Sequence, residues 1–501
     1  MFQDILSGFS MVFQLSNLVS AFGGVAFGMV MGAIPGLTSN MAISLLIPFT
    51  FYLNPIASIA LLMGLSKGGN FGGSIPAILF NIPGTPQAMV TAFDGYPLHE
   101  QGKSGKALKT ALYSSVMADT MSDLILFFLA GPVSLVALKI GPPEYTMIIL
   151  FSLIIISIVA TEDPLRGTVA IGLGLLLGVV GLDPLLGTPR LSFGSLQLTA
   201  GLQIIPMVIG LLALSEILRQ IEREVKLKIL KKDLQKEAEK PSDPNAHRVT
   251  RAELRHCLPA IFRGVGIGSL MGIIPGIGTT VASYLSYTST KKSSKHPERF
   301  GKGALEGVAA AEAGNNAVVG PNLIPLVTLG IPGNVAAALI LGAFMIKGLT
   351  PGPRFMQTDA PMLYALFTVL VISNIFTFLI GWGFVKYIRG VSQLPKQILY
   401  PMVLVFCFIG SYVFNSSIFD VLTMFLFGLF GYVLVKLRIP LPPIIVAFFL
   451  GPLFERKIRQ ALLISGNSIS IFFTHPIALG FLILTVIAAV FLLIHRRKTT
   501  I

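Results

Sequence analysis

The sequence predicts an all-α polytopic membrane protein built from two inverted-topology repeats with broken helices or re-entrant hairpins, roughly 10 to 14 membrane segments in all. Three observations carry that expectation. The 501 residues are 53% hydrophobic and only 12% charged, with a mean hydropathy of +0.79, whereas a soluble domain is about one-quarter charged. The stretch MGAIPGLTSN at Met31–Asn40 returns as MGIIPGIGTT at Met271–Thr280. The basic loops that follow these copies fall at different places in the two halves.

Each membrane helix needs about 20 mostly apolar residues. The clear apolar segments are Ile125–Leu138, Met147–Ala160, Val169–Gly181, Leu202–Leu214, Leu363–Gly381, Ile418–Val435 and Leu479–Ile494. A membrane barrel would alternate in polarity, which these do not. No Lys or Arg precedes Lys67, so a cleaved secretory signal, which needs a basic start, is not expected. Cys257 and Cys407 lack pairing or metal spacing and read as inert apolar thiols. A net charge of +14 raises nucleic acid as a partner, but its placement excludes that reading. Twelve Lys/Arg lie in Arg219–Arg263 and five more in Lys291–Lys302. These are positive-inside signals, so both segments are expected to be cytoplasmic. The run SEILRQIEREVKLKILKKDLQKEAEK, ending at PSDPN, reads as a solvated linker, with lipid head groups or a partner as its alternative use. The expected division is therefore a first membrane repeat (1–218), a charged linker (219–256), a second repeat (257–474), and a last membrane helix with a basic tail (475–501).

A second pair of stretches extends the repeat. GGNFGGSIPAILFNIPGTPQAM (Gly68–Met89) matches AGNNAVVGPNLIPLVTLGIPGNVAAA (Ala313–Ala338), with a few residues' difference in spacing. Ile-Pro-Gly occurs four times, twice per half, which is the mark of a duplication. The charged loops then suggest inversion. In the second half, Lys291–Lys302 follows the first Pro-Gly motif; the matching Phe51–Leu61 carries no charge. In the first half, His99–Lys109 holds three lysines; its counterpart near Lys347 and Arg354 holds fewer. Equivalent loops are thus expected on opposite faces, with the amino end outside and the linker and HRRK tail (His495–Lys498) inside.

Proline removes a backbone donor and glycine permits positive φ, so each Pro-Gly pair ends a helix within the bilayer. Backbone groups freed there must be buried in protein or line a wet cavity. Half-helix ends attract carboxylates, while bare carbonyls and Ser/Thr/Asn oxygens suit Na⁺. The alternative for any one Pro-Gly is a kink or a close-packing point. The first breaks offer Thr38, Ser39 and Asn40, with Gly278, Thr279 and Thr280 as their copies. The second breaks offer Gly72, Gly73, Ser74, Asn81, Pro83, Gly84 and Thr85, against Asn315, Asn316, Thr328, Pro332, Gly333 and Asn334. A Na⁺ is expected near Asn315, Asn316 and Thr279. Lys67 either meets a substrate carboxylate or snorkels to the interface. Glu312 either binds a cation or shuttles a proton, or is a helix-start or interface carboxylate. Asp94 reads as a turn residue before Gly95. Neither a Walker A motif nor a metal-binding or nucleophilic triad pattern occurs, so neither an ATP motor nor an enzyme is expected.

Several long blocks resemble the large membrane subunit, TctA, of the tripartite tricarboxylate transporters. They are Gly32–Phe51, Phe71–Leu108, Gly181–Gly194, Phe300–Ala317, Leu323–Pro353 and Gly451–Ile477. The resemblance runs nearly end to end, in order. It implies a secondary transporter of the bacterial inner membrane working with a small membrane subunit (TctB-like) and a periplasmic solute-binding protein (TctC-like). It also implies a di- or tricarboxylate substrate such as citrate, a coupling Na⁺ or H⁺ and no other cofactor. The inverted, hairpin-bearing halves suggest elevator-like movement. Ser66-Lys67, Asn70 and the AEAGNN run (Ala311–Asn316) depart from the family pattern, so citrate itself is not assumed. A stand-alone sodium- or proton-coupled carboxylate carrier and an anion channel are the alternatives.

Overall fold

A computed structural model describes every residue except 1, 35, 36, 162, 185, 230–247, 392–395, 500 and 501. The Pro35-Gly36 pair and most of the charged linker, PSDPN included, lie outside the described residues, as do the side chains of the HRRK tail. Before the linker come α1 (Phe2–Val12), α2 (Leu15–Ala33), α3 (Ser39–Leu46), α4 (Pro55–Phe80), α5 (Ala88–Glu100) and α6 (Ser104–Ala137). Then follow α7 (Pro142–Val159), α8 (Pro164–Gly178), α9 (Leu196–Thr199), α10 (Ile204–Val208) and α11 (Ser215–Ile229). A two-residue antiparallel ladder, Gly181–Leu182 with Pro189–Arg190, separates α8 from α9 and departs from the all-helical expectation.

After the linker come α12 (Arg251–Ile273), α13 (Gly278–Ser293), α14 (Leu305–Asn316), α15 (Leu323–Leu329), α16 (Val335–Ile346) and α17 (Phe355–Thr358). The chain closes with α18 (Ala360–Val391), α19 (Lys396–Asn415), α20 (Ile418–Lys436), α21 (Leu441–Ile464), α22 (Ile471–Thr474) and α23 (Pro476–Thr499). Among the described residues, seven helices are long and apolar enough to cross a membrane, and five shorter ones are also apolar. The clear apolar segments fall largely on helices, though Val169–Gly181 runs past the end of α8 into the short ladder.

The packing is inside-out relative to a soluble protein. Lys67, Asp119, Asp123, Glu312 and Asn315 are buried, whereas Phe128, Leu135, Leu379 and Leu426 are exposed. Such an apolar exterior fits lipid rather than water. The chain is thus an all-α, multi-pass membrane protein.

The closest helix pair is α2 on α4, and glycine makes it possible. A Cβ on Gly24, Gly28 or Gly72 would lie 2.3–2.4 Å from a backbone oxygen of the other helix, and one on Gly68 would lie 2.1 Å from Val25 O. Only hydrogen side chains fit such a seam. Gly68→Ala should force the helices apart and destabilise by about 1–3 kcal/mol. Thermal unfolding in detergent reads this, and an unshifted midpoint would refute it.

The loops pair in a crossed fashion. At one place, Lys347 Nζ, beyond α16, donates to Leu53 O at 2.7 Å and Phe51 O at 3.2 Å. Partial burial pushes its ammonium below the ordinary lysine range. At another, Gln101, beyond α5, donates to Lys302 O at 2.8 Å, and Lys106 pairs with Glu253 at 2.6 Å. The segment after α3 therefore meets the segment after α16, and the segment after α5 meets the one between α13 and α14.

Candidate functional site

The first half breaks twice. Between α2 and α3 the Thr38 hydroxyl caps α3 by accepting from Met41 N at 3.3 Å. Asn81, in the left-handed region (φ 53), closes α4, and the chain reaches α5 through Pro83, Gly84 and Thr85. Gly84 N donates to Gly73 O at 3.1 Å. Thr85 presses on Gly73, its Oγ1 2.5 Å from where a Cβ would stand, and Ser39 Cβ lies 2.5 Å from the same position on Gly69. Ser39, Gly73, Gly84 and Thr85 are thus gathered around one stretch of α4. Other expected residues stand apart. Gly72 faces Met29 of α2, Asn81 is exposed, and Asn40 is half-buried. Gly72, Gly73 and Ser74 lie inside a continuous α4 rather than at its end.

The second half breaks at matching places. Gly278, with φ +72, opens α13, and half-buried Thr279 and Thr280 occupy its first turn. Gly276 N donates to Gly333 O at 2.8 Å, so the two Ile-Pro-Gly motifs of this half are tied to each other. Asn334 caps α16 by accepting from Ala337 N at 2.8 Å, beside buried Pro332. Thr328 Oγ1 donates back to Ile324 O. One difference separates the halves: residues 317–322 interrupt α14 and α15, where α4 continues unbroken. The hydroxyl of Thr85, both amide atoms of Asn315 and Oδ1 of Asn316 are buried with no partner. Buried polar atoms are nearly always satisfied, and these stand beside the breaks without a protein partner.

Glu312 joins the halves. Fully buried on α14, its carboxylate accepts from Ser74 Oγ, Thr91 Oγ1, Ser115 Oγ at 2.8 Å and Asn316 Nδ2 at 3.3 Å. It is not a helix-start residue, since α14 begins seven positions earlier at Leu305. Ser283 of α13 reaches the first-half break by donating to Gln87 O at 3.4 Å.

Lys67 does not snorkel. Its Nζ is wholly buried, 2.8 Å from Asp123 Oδ2 and 3.2 Å from Asp119 Oδ1, and it donates to Asn374 Oδ1 at 2.7 Å. Asn374 Nδ2 in turn donates to Asp123 Oδ2 at 2.7 Å. Asp94 is no turn residue. It sits within α5, and its Oδ1 accepts from the backbone N–H of Gly301, Gly303 and Ala304 at 2.8–2.9 Å, while Tyr287 donates to Oδ2.

Sequence reasoning missed Thr91, Ser115, Asp119, Asp123 and Asn374. The signal was present: two acidic residues four apart on the long apolar α6 are costly in a bilayer and therefore suspect. It also missed a surface clamp. Arg190 grips Glu455 with both nitrogens at 2.8 and 3.1 Å. Arg459 pairs with Asp183 at 2.9 Å and Glu455 at 2.7 Å. The bound Glu455 carboxylate holds the Arg190 guanidinium above its ordinary range.

The family described as "Tripartite tricarboxylate transporter TctA family" matches residues 18–446. An Agrobacterium vitis protein described as an uncharacterized 52.8 kDa protein in the TAR-I ttuC' 3' region is 35% identical over 483 residues, which is 96% of this chain and 94% of that protein. A second A. vitis protein, described as uncharacterized and in the TAR-II ttuC' 3' region, is 37% identical over 232 residues, 46% of this chain and 96% of its own. No solved structure matches.

Proposed function

Because the chain belongs to the tripartite tricarboxylate transporter TctA family, we propose that it is the large membrane subunit of an ion-gradient-driven carrier. In this reading it imports a di- or tricarboxylate across a bacterial inner membrane. A TctC-like periplasmic binding protein delivers the substrate, and a TctB-like small subunit completes the complex. The observation that carries the reading is the set of buried polar groups without a protein partner, Thr85 at the first-half break and Asn315 beside the 317–322 interruption.

The crossed loop contacts support an inverted repeat. Two halves related by a pseudo-two-fold axis in the membrane plane bring the loop after one motif against the loop after the other. The basic loops His99–Lys109 and Lys291–Lys302 then share the cytoplasmic side. The helix starts at Ser39 and Thr279 and the buried polar groups of Thr85 and Asn315 would receive the carboxylate. Alternating access would follow from elevator-like movement of the domain that carries them.

In proteoliposomes holding the full complex, preloaded carboxylate should drive counterflow, which a channel cannot do. Asn315→Leu and Thr279→Leu should each cut uptake about tenfold or more, the scale of a lost coupling or binding free energy, while both variants still insert in the membrane. Normal uptake by both would refute the site.

A further inference from the structure

The cluster around Lys67 is not absorbed by the substrate site. Lys67 on α4 faces two carboxylates, Asp119 and Asp123, one turn apart on α6. All three side chains are buried to within 3% of full exclusion. Two carboxylates around one ammonium leave a single negative charge uncompensated where water does not reach. A charge in that position is expensive unless it is paired or neutralised. Among the described residues neither carboxylate pairs with a second cation, and Lys106 of α6 is held by Glu253 of α12. Asn374 on α18 supplies hydrogen bonds only. The 317–322 turn and α15 carry no titratable side chain. Helix α12 meets α6 through the apolar cluster of Cys257, Ala260, Ile261 and Val265 with Ala118. Glu312, itself acidic, is held by Ser115, one turn along α6 from Asp119. Asp123 Oδ1 is buried and accepts no hydrogen bond, while Asp119 Oδ1 meets the Lys67 ammonium at 3.2 Å.

We propose that the Asp119–Asp123 pair binds the proton that couples transport to the membrane gradient, with Lys67 as its fixed counter-charge. The proposal rests on the carrier reading above and names its driving ion. A proton fits the geometry where Na⁺ does not. Na⁺ needs a shell of several oxygens, whereas Asp123 is met by two nitrogen donors, Lys67 Nζ and Asn374 Nδ2. A metal cation there would also sit beside the Lys67 ammonium. A proton needs no cavity. Its arrival on one carboxyl cancels the excess charge, and its departure restores it, with no bond made or broken other than O–H. The cluster also spans elements that meet at the break: α4, α6, α18 and the 317–322 turn against Asp123. Loading and unloading therefore change the attraction between these pieces, which is how an ion can bias one conformation over another.

The test uses the full chain in lipid nanodiscs and, with its partner subunits, in proteoliposomes. Infrared spectra with isotope-labelled aspartate read the carboxylic-acid C=O stretch of the pair at neutral pH. The expected result is one such band, lost in Asp119→Asn with Asp123→Asn and shifted in either single variant. In proteoliposomes, an inward proton gradient should drive uptake of radiolabelled citrate, malate or tartrate without Na⁺. Each single variant should lower that uptake about tenfold or more, as expected for a lost coupling free energy. Absence of the band in the wild-type protein would overturn the proposal, as would undiminished proton-driven uptake in both single variants. A band that behaves as expected with no carboxylate moved under any gradient would leave the proton site standing and remove the carrier reading.

Discussion

Lys67→Met should lower the stability of the folded chain by about 3–5 kcal/mol, the cost of stripping one partner from a buried ion pair. The lysine's neighbours make this the most sensitive single position in the interior. Asp119 and Asp123 lie 3.2 and 2.8 Å from its nitrogen, and Asn374 Oδ1 at 2.7 Å completes its acceptors. Methionine keeps most of the volume and removes all of the charge, leaving two carboxylates face to face in an apolar surround. Adding Asp119→Asn and Asp123→Asn to Lys67→Met should recover much of the loss, because amides carry no charge to strand. Heating the purified protein with a thiol-reactive dye reports unfolding directly, since both free cysteines, Cys257 and Cys407, are buried until the fold opens. A Lys67→Met protein that melts with the wild type would contradict the account, as would a triple variant that melts below the single one.

Glu312→Leu should be almost as damaging, for the opposite reason. Here the anion is removed and the donors are stranded. Ser74, Thr91, Ser115 and Asn316 all point at this one carboxylate, and each buried donor left without an acceptor costs about 1–3 kcal/mol. Some of that is recovered when hydroxyls turn to backbone carbonyls, so the net loss should reach about 2–4 kcal/mol. Glu312→Gln keeps one acceptor oxygen and should fall between. Because three of the four donors come from before the linker and Glu312 from after it, the defect should also loosen the contact between halves. Crosslinking between cysteines placed on α5 and α14 would report this, and an unchanged crosslinking rate in Glu312→Leu would argue against the carboxylate as the joint.

The helix breaks were legible because backbone chemistry writes them into sequence. Pro and Gly fall where helices must stop, and α2 ends before Pro35 just as α12 ends before Pro275. The apolar segments were legible because length and hydropathy suffice for a membrane helix. The polar interior was not. Ser74 reads as a break residue, yet it sits inside α4 and serves Glu312 across the chain. Asp94-Gly95 has the composition of a turn, yet α5 runs through it, because three backbone N–H groups from residues 301–304 offset the burial of its carboxylate. Partners 200 residues distant leave no local pattern. Lys67 could be flagged as costly, but not that Asp119 and Asp123 answer it, because nothing in the spacing says that α4 and α6 turn those faces together.

That same trio constrains how the polypeptide enters the bilayer during synthesis. A lone lysine or aspartate at the centre of an inserting helix costs about 2.5–3.5 kcal/mol. Helix α4 carries one such charge and α6 carries two, and only the short α5 separates them in the chain. Released into lipid one at a time, each would be a poor transmembrane segment. Held at the exit of the insertion machinery until the other emerges, they neutralise most of their charge between them and can leave as a hairpin. Asn374, more than two hundred residues later, then arrives as a latch on a pair already formed. Nascent chains truncated before α6 should therefore fail to integrate α4, and chains extended just past Asp123 should integrate both.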